Sequence, residues 1–463
     1  MSRRRKAAEN QLELAFGAEA RGEPPRPAHG GREATPAIGQ NESLASTANL
    51  MEEVCQRENL EEALRRVVAN KGSPGVDGMP VHRLGKFLRR HWTRIRAELF
   101  EGRYHPQPVK RVEIPKPDGG VRKLGVPTVV DRFIQQAVMQ VLQRLWDPTF
   151  STHSYGFRPG RSQRGAVTQA QAYITEGYRV VVDLDLEKFF DRVNHDILMS
   201  LVAKRVADKR VLKLIRACLT AGVLENGLVT ASDEGTPQGG PLSPLLSNLM
   251  LDVLDQELEK RKLRFVRYAD DCNVYVKSER AGLRVMDGLT TFLSTRLRLK
   301  VNEAKSAVAR PHERKFLGFS FTDDAEKPKR RIAPKSLEKF KDRVRELTKE
   351  SAGRSLEARV DELNAYLRGW LEYYSFGEMP WVLTSLAGWV RRRLRCLLWR
   401  QWKTGRRRFA ELRRRGVGFS LARSTAGSRH GAWHLSASKA LSFALPNAYF
   451  DSLGLPSFGA QRA

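Results

Sequence analysis

The chain has 463 residues with 81 Lys and Arg against 52 Asp and Glu, a formal net charge of +29 and a sequence pI of about 10.3, which points to a polyanion as partner. No stretch approaches the roughly 20 apolar residues of a membrane span, and the start Met1-Ser2-Arg3-Arg4-Arg5-Lys6 lacks the apolar run of a secretory signal, so a soluble protein without a membrane partner is expected. The four cysteines, at 55, 218, 272 and 396, form no C-x-x-C pair, which excludes the common zinc-site and disulfide-framework spacings.

In chain order, residues 1–45 are rich in Arg, Glu, Gly and Pro and read as a flexible tail, followed by a helical stretch from Leu60 to Val68 and the segment Asn70-Lys71-Gly72-Ser73-Pro74-Gly75. Residues 114–127 read as two basic strands around a Gly-containing turn, with Lys116 and Arg122 on them. The run Val180-Val181-Val182-Asp183-Leu184-Asp185 reads as a buried strand that ends in carboxylates and leads into a helix. Gly235 to Pro244, with Gln238, precedes an apolar helix through Leu254. Leu263–Arg267 and Cys272–Val276 alternate β-formers on either side of Tyr268-Ala269-Asp270-Asp271, a hairpin with two carboxylates at its tip. Three apolar stripes at helical spacing follow: Leu337, Phe340, Val344, Leu347; Leu356, Val360, Leu363, Leu367; and Leu383, Leu386, Val390, Leu394, Leu397.

Adjacent carboxylates repel unless a cation lies between them, and a hard divalent ion takes carboxylate oxygens. Two-metal phosphoryl transfer needs acids from separate elements holding ions roughly 3.5–4 Å apart. An Asp at a strand end and a pair at a hairpin tip meet that demand; a polar turn is the plain alternative for Asp-Asp alone. Between Trp381 and His430 there are 14 Lys and Arg against one acid, Glu411. Arg391, Arg392, Arg393, Arg406, Arg407, Arg408, Arg413, Arg414 and Arg415 lie there, interleaved with Trp389, Trp399 and Trp402. Arginine forks suit phosphate, so these clusters are assigned to RNA, and the tryptophans to the core.

The ordered segments resemble the blocks of reverse transcriptases: residues 114–127 the fingers hairpin, 154–162 the second block, 185–191 the third, 235–244 the fourth, the Tyr268–Asp271 hairpin the fifth, 299–306 and 315–319 the sixth and seventh. The segment from Asn70 resembles the N-terminal extension of group II intron-encoded proteins, and Leu363-Asn364-Ala365-Tyr366-Leu367-Arg368-Gly369-Trp370 resembles their maturase domain X. The resemblance implies an α+β fold: a right-hand polymerase of fingers and palm followed by an α-helical thumb or domain X. Its divisions are an N-terminal tail (1–45), an extension and start of fingers (46–108), fingers and palm (109–325), and thumb with basic C-terminal region (330–463).

It further implies Asp185, Asp270 and Asp271 as the catalytic, metal-binding acids for two Mg²⁺ ions, with Mn²⁺ as the alternative. Lys116 and Arg122 would grip the triphosphate, Phe190 would stand under the sugar and select dNTPs, and Gln238 would lie beside it. Tyr268 and Lys305 would meet primer and template, though Tyr268 fits equally well as a plain strand aromatic. Asp183, two residues from Asp185, is assigned a structural role; Glu187 and Asp191 have suitable chemistry, Asp191 also as a helix cap; His195 is expected to support the loop-to-helix geometry.

The implied partners are group II intron RNA, an RNA template with a DNA primer, dNTPs and target DNA, in a bacterial cytoplasmic protein associated with the nucleoid; the oligomeric state is not implied. The pattern of cysteine pairs together with clustered histidines that marks an endonuclease domain does not follow domain X before Ala463, as in the endonuclease-lacking branches, for which priming from a nascent strand or another existing end is expected. The alternatives are a reverse transcriptase co-opted for defence or repair, a maturase whose polymerase is dispensable, and an RNA-copying RNA polymerase, against which Phe190 speaks.

Overall fold

The computed structural model describes residues 47–115, 120–225, 228–230, 234–236, 239–324, 326–349 and 356–458. Lys116, Gln238 and the tail 1–45 lie outside the described residues. The chain forms two compact units, one from residues 1–166 and 181–308, the other from 167–180 and 309–463.

In the first unit, helices α1 (Leu50–Val54), α2 (Arg57–Ala69) and α3 (Leu84–Phe100) lead into the sheet. In α2 the buried residues Leu60, Ala63, Leu64 and Val67 recur at i, i+3, i+4 and i+7, the spacing that puts one helix face inward. Strands β1 (Val109–Pro115) and β2 (Val121–Val126) pair antiparallel from Lys110 opposite Val126 to Pro115 opposite Val121. Helix α4 (Val129–Trp146) starts where the Thr128 side chain accepts from the Asp131 N–H, and it is buried on most sides.

A second sheet, in the order β6-β7-β3-β8, holds β3 (Val180–Leu184), β6 (Arg264–Tyr268), β7 (Asp271–Val276) and β8 (Ala307–Ala309). Cys272 to Val276 are all buried, so this strand is covered on both faces rather than alternating in and out. Helix α5 (Gln163–Thr175), most of it in the second unit, precedes β3, and between β3 and β6 the chain forms α6 (His195–Ala203), α7 (Lys209–Thr220), the short β4 (Val223–Glu225) and β5 (Leu228–Thr230), and α8 (Ser243–Lys260). Pro244 sits in the first turn of α8, where its missing N–H costs nothing, and Leu246, Met250, Leu254 and Leu258 are buried along it. Helix α9 (Glu279–Phe292) packs beside β7.

In the second unit a two-stranded ribbon, β9 (Phe319–Phe321) and β10 (Arg330–Ile332), precedes α10 (Pro334–Leu347), α11 (Leu356–Tyr374) and α12 (Pro380–Gln401). The stripes expected from spacing form one core: Phe340, Val344 and Leu347, then Val360, Leu363 and Leu367, then Leu383, Leu386, Val390, Leu394 and Leu397. The Leu356 side chain lies outside the description. Trp399 and Trp402 are buried in that core and Trp389 packs on it. Short helices complete the unit: α13 (Gly405–Arg414), α14 (Phe419–Ala426), α15 (Ala432–Leu435), α16 (Lys439–Ala444) and α17 (Asn447–Ser452). No helix among the described residues is long and apolar enough to cross a membrane.

Candidate active site

Strand β3 ends at Leu184, and Asp185 follows it at once. Its backbone is clamped by residues far along the chain: Ser306 Oγ accepts from the Asp185 N–H at 3.0 Å, and the Asn302 N–H donates to the Asp185 carbonyl at 2.8 Å. The next residues bridge as well, Leu186 with Val301 and the Glu187 N–H to the Lys300 carbonyl at 2.8 Å. Lys188 then takes a left-handed φ of 49°, and Phe189–Asp191 make a single 3-10 turn. Phe189 is buried and Phe190 half-buried. Behind this turn lies Gly235, at φ 89°, where a Cβ would stand 2.9 Å from the Phe190 carbonyl oxygen; only glycine fits both the angle and the space.

The acids around Asp185 divide by partner. Glu187 is engaged by Arg192 at 3.3 Å and Lys300 at 3.4 Å. The buried Asn273 amide, oriented to satisfy its surroundings, donates to Asp183 Oδ1 at 3.0 Å across the sheet. Asp191 is exposed, and the helix it was offered as capping is instead capped by Asn194, whose Oδ1 accepts from the Ile197 N–H at 3.0 Å. His195 is buried with Nε2 2.6 Å from the Gly235 carbonyl, tying the start of α6 to the Gly235 loop.

The hairpin between β6 and β7 turns through two residues, with Tyr268 paired to Asp271 and Ala269 at φ 57°. What supports this turn is Arg267, fully buried, which sequence patterning gave no role. Its guanidinium donates to both oxygens of buried Asp255 (2.7 and 2.6 Å), to Asn248 Oδ1 (3.0 Å), to Ser154 Oγ (2.8 Å) and to the Ala269 carbonyl (2.9 Å). A desolvated ion pair holds only when every donor is satisfied in this way. Gly156 also approaches the turn so closely that a Cβ would meet the Ala269 nitrogen at 2.3 Å. The available signal was an arginine within an apolar strand and an acid, Asp255, within an apolar helix.

Asp270 and Asp185 thereby come from different strands to within electrostatic reach. Burial first, and then the Asp185 charge, hold the Asp270 carboxyl above the usual carboxylate range, while Arg122 and Arg267 pull it down. Asp271 is exposed at the start of β7. Among the described residues no three His, Cys, Asp or Glu side chains form a ready-made metal cage. The donor chemistry nonetheless fits a hard divalent cation, since two carboxylates brought from separate elements oppose each other here.

A cavity of about 800 Å³ opens here, lined by Asp270, Phe190, Arg122 and Gly239 together with Arg66 and Asn70 from the end of α2. The α2 contribution was not anticipated; its apolar face accounted for the helix and left Arg66 without an assignment. Tyr268 lies half-buried with its ring 6.4 Å from that of Phe157, and Lys305 is exposed in the turn that carries Ser306.

In the second unit the nine arginines of the basic clusters separate. Arg391 pairs with Asp451 at 2.9 Å, Arg392 lies 4.1 Å from the Trp433 ring centroid, and Arg393 donates to Thr348. Arg408 stacks over Trp399, and Arg415 pairs with Glu411 over Trp402. Arg406, Arg407, Arg413 and Arg414 are exposed. Helix α12 is packed on most sides, so a run of three arginines along it is turned inward to partners.

A nucleotide-sized cavity lined by Asp270 at a hairpin tip, with Asp185 at a strand end within electrostatic reach of it, defines the polymerase class. Residues 114–321 match the family described as "Reverse transcriptase (RNA-dependent DNA polymerase)", and residues 337–416 match "Group II intron, maturase-specific domain". Protein YkfC of Escherichia coli (strain K12) is 34% identical over 303 residues, covering 57% of this chain and 79% of that protein. Group II intron-encoded protein LtrA of Lactococcus lactis subsp. cremoris is 36% identical over 206 residues, 44% of this chain but only 34% of its own length. The chain belongs to the reverse transcriptases that carry a group II intron maturase-specific domain, a family of RNA-directed DNA polymerases that generally use divalent metals.

Proposed function

We propose that this protein copies RNA into DNA at the Asp185–Asp270–Asp271 site and acts as a maturase on a group II intron RNA, the two activities together serving intron mobility into target DNA. The observation that carries the polymerase reading is that Asp270, within electrostatic reach of Asp185 from a separate strand, lines one cavity with Arg122 and Phe190. In the reaction a primer 3′-hydroxyl attacks the α-phosphorus of a dNTP, a new P–O bond forms, and the bond to pyrophosphate breaks. Two divalent ions, Mg²⁺ or in its place Mn²⁺, would activate that hydroxyl and neutralise the leaving group. Asp185, Asp270 and Asp271 are the residues to hold them. Arg122 grips the triphosphate, and the Phe190 ring closes the floor under the sugar, leaving no room for a 2′-hydroxyl. Lys116, Gln238, Tyr268 and Lys305 keep their proposed places at the nucleotide and the primer–template. The exposed Arg406, Arg407, Arg413 and Arg414 are the members of the basic clusters offered to intron RNA, with residues 330–463 as the thumb and maturase portion that follows fingers and palm (109–325) in the chain.

The test is extension of a DNA primer on an RNA template with Mg²⁺ and dNTPs, comparing the wild type with Asp270→Ala/Asp271→Ala. Extension should disappear in the variant while binding and splicing of a group II intron RNA persist. A folded wild type that splices the intron but extends no primer would leave a maturase alone.

A further inference from the structure

Beyond the matched maturase segment, the second unit keeps large rings in solvent. Phe443 is 62% exposed and Phe419 58%. Single exposed apolar side chains are ordinary, but these two occupy one small region. Phe443, on α16, lies over the turn that follows α13, where a Cβ on Gly416 would be 3.6 Å from its ring. Phe419 opens α14, its ring 5.4 Å from that of Phe409 on α13. A surface hollow of about 810 Å³ is lined by Phe443, Tyr449, Pro446, Arg414 and Arg415. Arg415 is fixed there by Glu411 and by the Trp402 ring beneath it; Arg414 pairs with the same Glu411 at 3.1 Å, but its side chain is 71% exposed.

The surroundings select the occupant. Residues 403–458 carry ten Lys and Arg against two acids, Glu411 and Asp451. Both acids are already paired with arginines. A partner meets apolar rings set in positive charge, which disfavours a basic or apolar protein face and suits a chain that offers a flat π-surface and a phosphate at each step. We infer that the Phe443–Tyr449–Arg414 hollow is a stacking site for unpaired nucleotides of single-stranded RNA, the base lying on Phe443 and its phosphate against Arg414. This rests on the reading that the second unit engages RNA, and adds to it that the contact is to unpaired bases rather than to duplex backbone.

The experiment uses the full chain and a 12-nucleotide oligouridylate bearing 5-iodouridine. Photocrosslinking is mapped by peptide mass, and affinity is measured over a salt series beside primer extension in the same preparations. The crosslink should fall on the segment containing Phe443. Phe443→Ala should weaken single-strand binding by about 5- to 150-fold, the range one stacked base commands, with the salt slope unchanged. Phe443→Trp should retain binding, and Arg414→Gln should lower the magnitude of the salt slope by about 0.7. Primer extension should be unaffected in Phe443→Ala and Phe443→Trp. Wild-type affinity in Phe443→Ala, or crosslinks confined to the first unit, overturns the stacking site while leaving RNA-directed synthesis standing. Equal displacement by duplex RNA or by single-stranded DNA overturns the assignment to unpaired RNA. Wild-type protein that binds no RNA at all overturns the reading beneath it as well.

Discussion

Gly156 and Arg267 both hold the Tyr268–Asp271 turn, and neither offers a carboxylate or a nucleophile. The Gly156 backbone occupies the space a side chain would need, with the Ala269 nitrogen 2.3 Å from where a Cβ would stand. Gly156→Ala therefore has to move the turn bearing Asp270. Because an ångström of misplacement at reacting groups costs about 100-fold, extension should fall by roughly that factor while RNA affinity holds; matching losses in both would mean that the unit itself had been disrupted. Arg267→Ala leaves Asp255 charged and buried, a loss of about 3–5 kcal/mol that thermal unfolding would register. In Arg267→Met/Asp255→Leu the stranded charge is gone, so stability should return in large part. Extension should not, because the Ala269 carbonyl still lacks its donor. Recovery of both together would show that the arginine serves packing alone.

Helix α8 contains a smaller conflict of its own. Asp252 is half-buried, its Oδ2 accepts from Gln256 at 2.6 Å, and its Oδ1 has no partner. Burial and the nearby Asp255 push the Asp252 carboxyl up to about 6. The folded state thus holds a proton that the unfolded chain, with its ordinary carboxylate, gives up near pH 4. Stability contributed by that proton is present in acid and is lost as pH rises from about 4 through about 6. Asp252→Asn should raise the melting temperature at pH 8 and give no gain near pH 4. A pH-independent change would assign the effect to packing.

The same helix marks how far patterning carries. Its apolar run was legible, as was the β6–β7 hairpin, because β-formers on both sides of a two-residue turn leave few other structures open. Asp255 and Arg267 were not, because a charge within a strand reads as an outward position and only the three-dimensional partner turns it inward. Arg391 and Arg393 mislead in the opposite sense: their one-sided charge suggested solvent, yet Asp451 and Thr348 hold them. His195 was readable as a support, but its acceptor, the Gly235 carbonyl 40 residues away, was not. The Arg66 contribution to the cavity was equally hidden, since helical spacing assigns a face without saying what the other face looks onto.

Across the whole chain the excess of 29 positive charges makes association with nucleic acid a matter of counterion release. If six to ten phosphates are neutralised, affinity for intron RNA should drop by about 10³- to 10⁵-fold between 50 and 200 mM salt. Filter binding across that range measures it, and a flat response would mean that recognition does not run through the basic surfaces.

The clamp on Asp185 bears on how the molecule comes into being. Its amide is tied to Ser306, 121 positions later in the sequence, and Val301 bridges the residue after it. At a synthesis rate of about 5–20 residues per second, roughly 6 to 24 s separate the emergence of the two partners from the ribosome. During that interval the nascent chain carries its first acid without the segment that fixes it. Polymerising capacity can therefore arise only after the hairpin and the Ser306 turn have been translated, whereas the earlier helices are free to form beforehand.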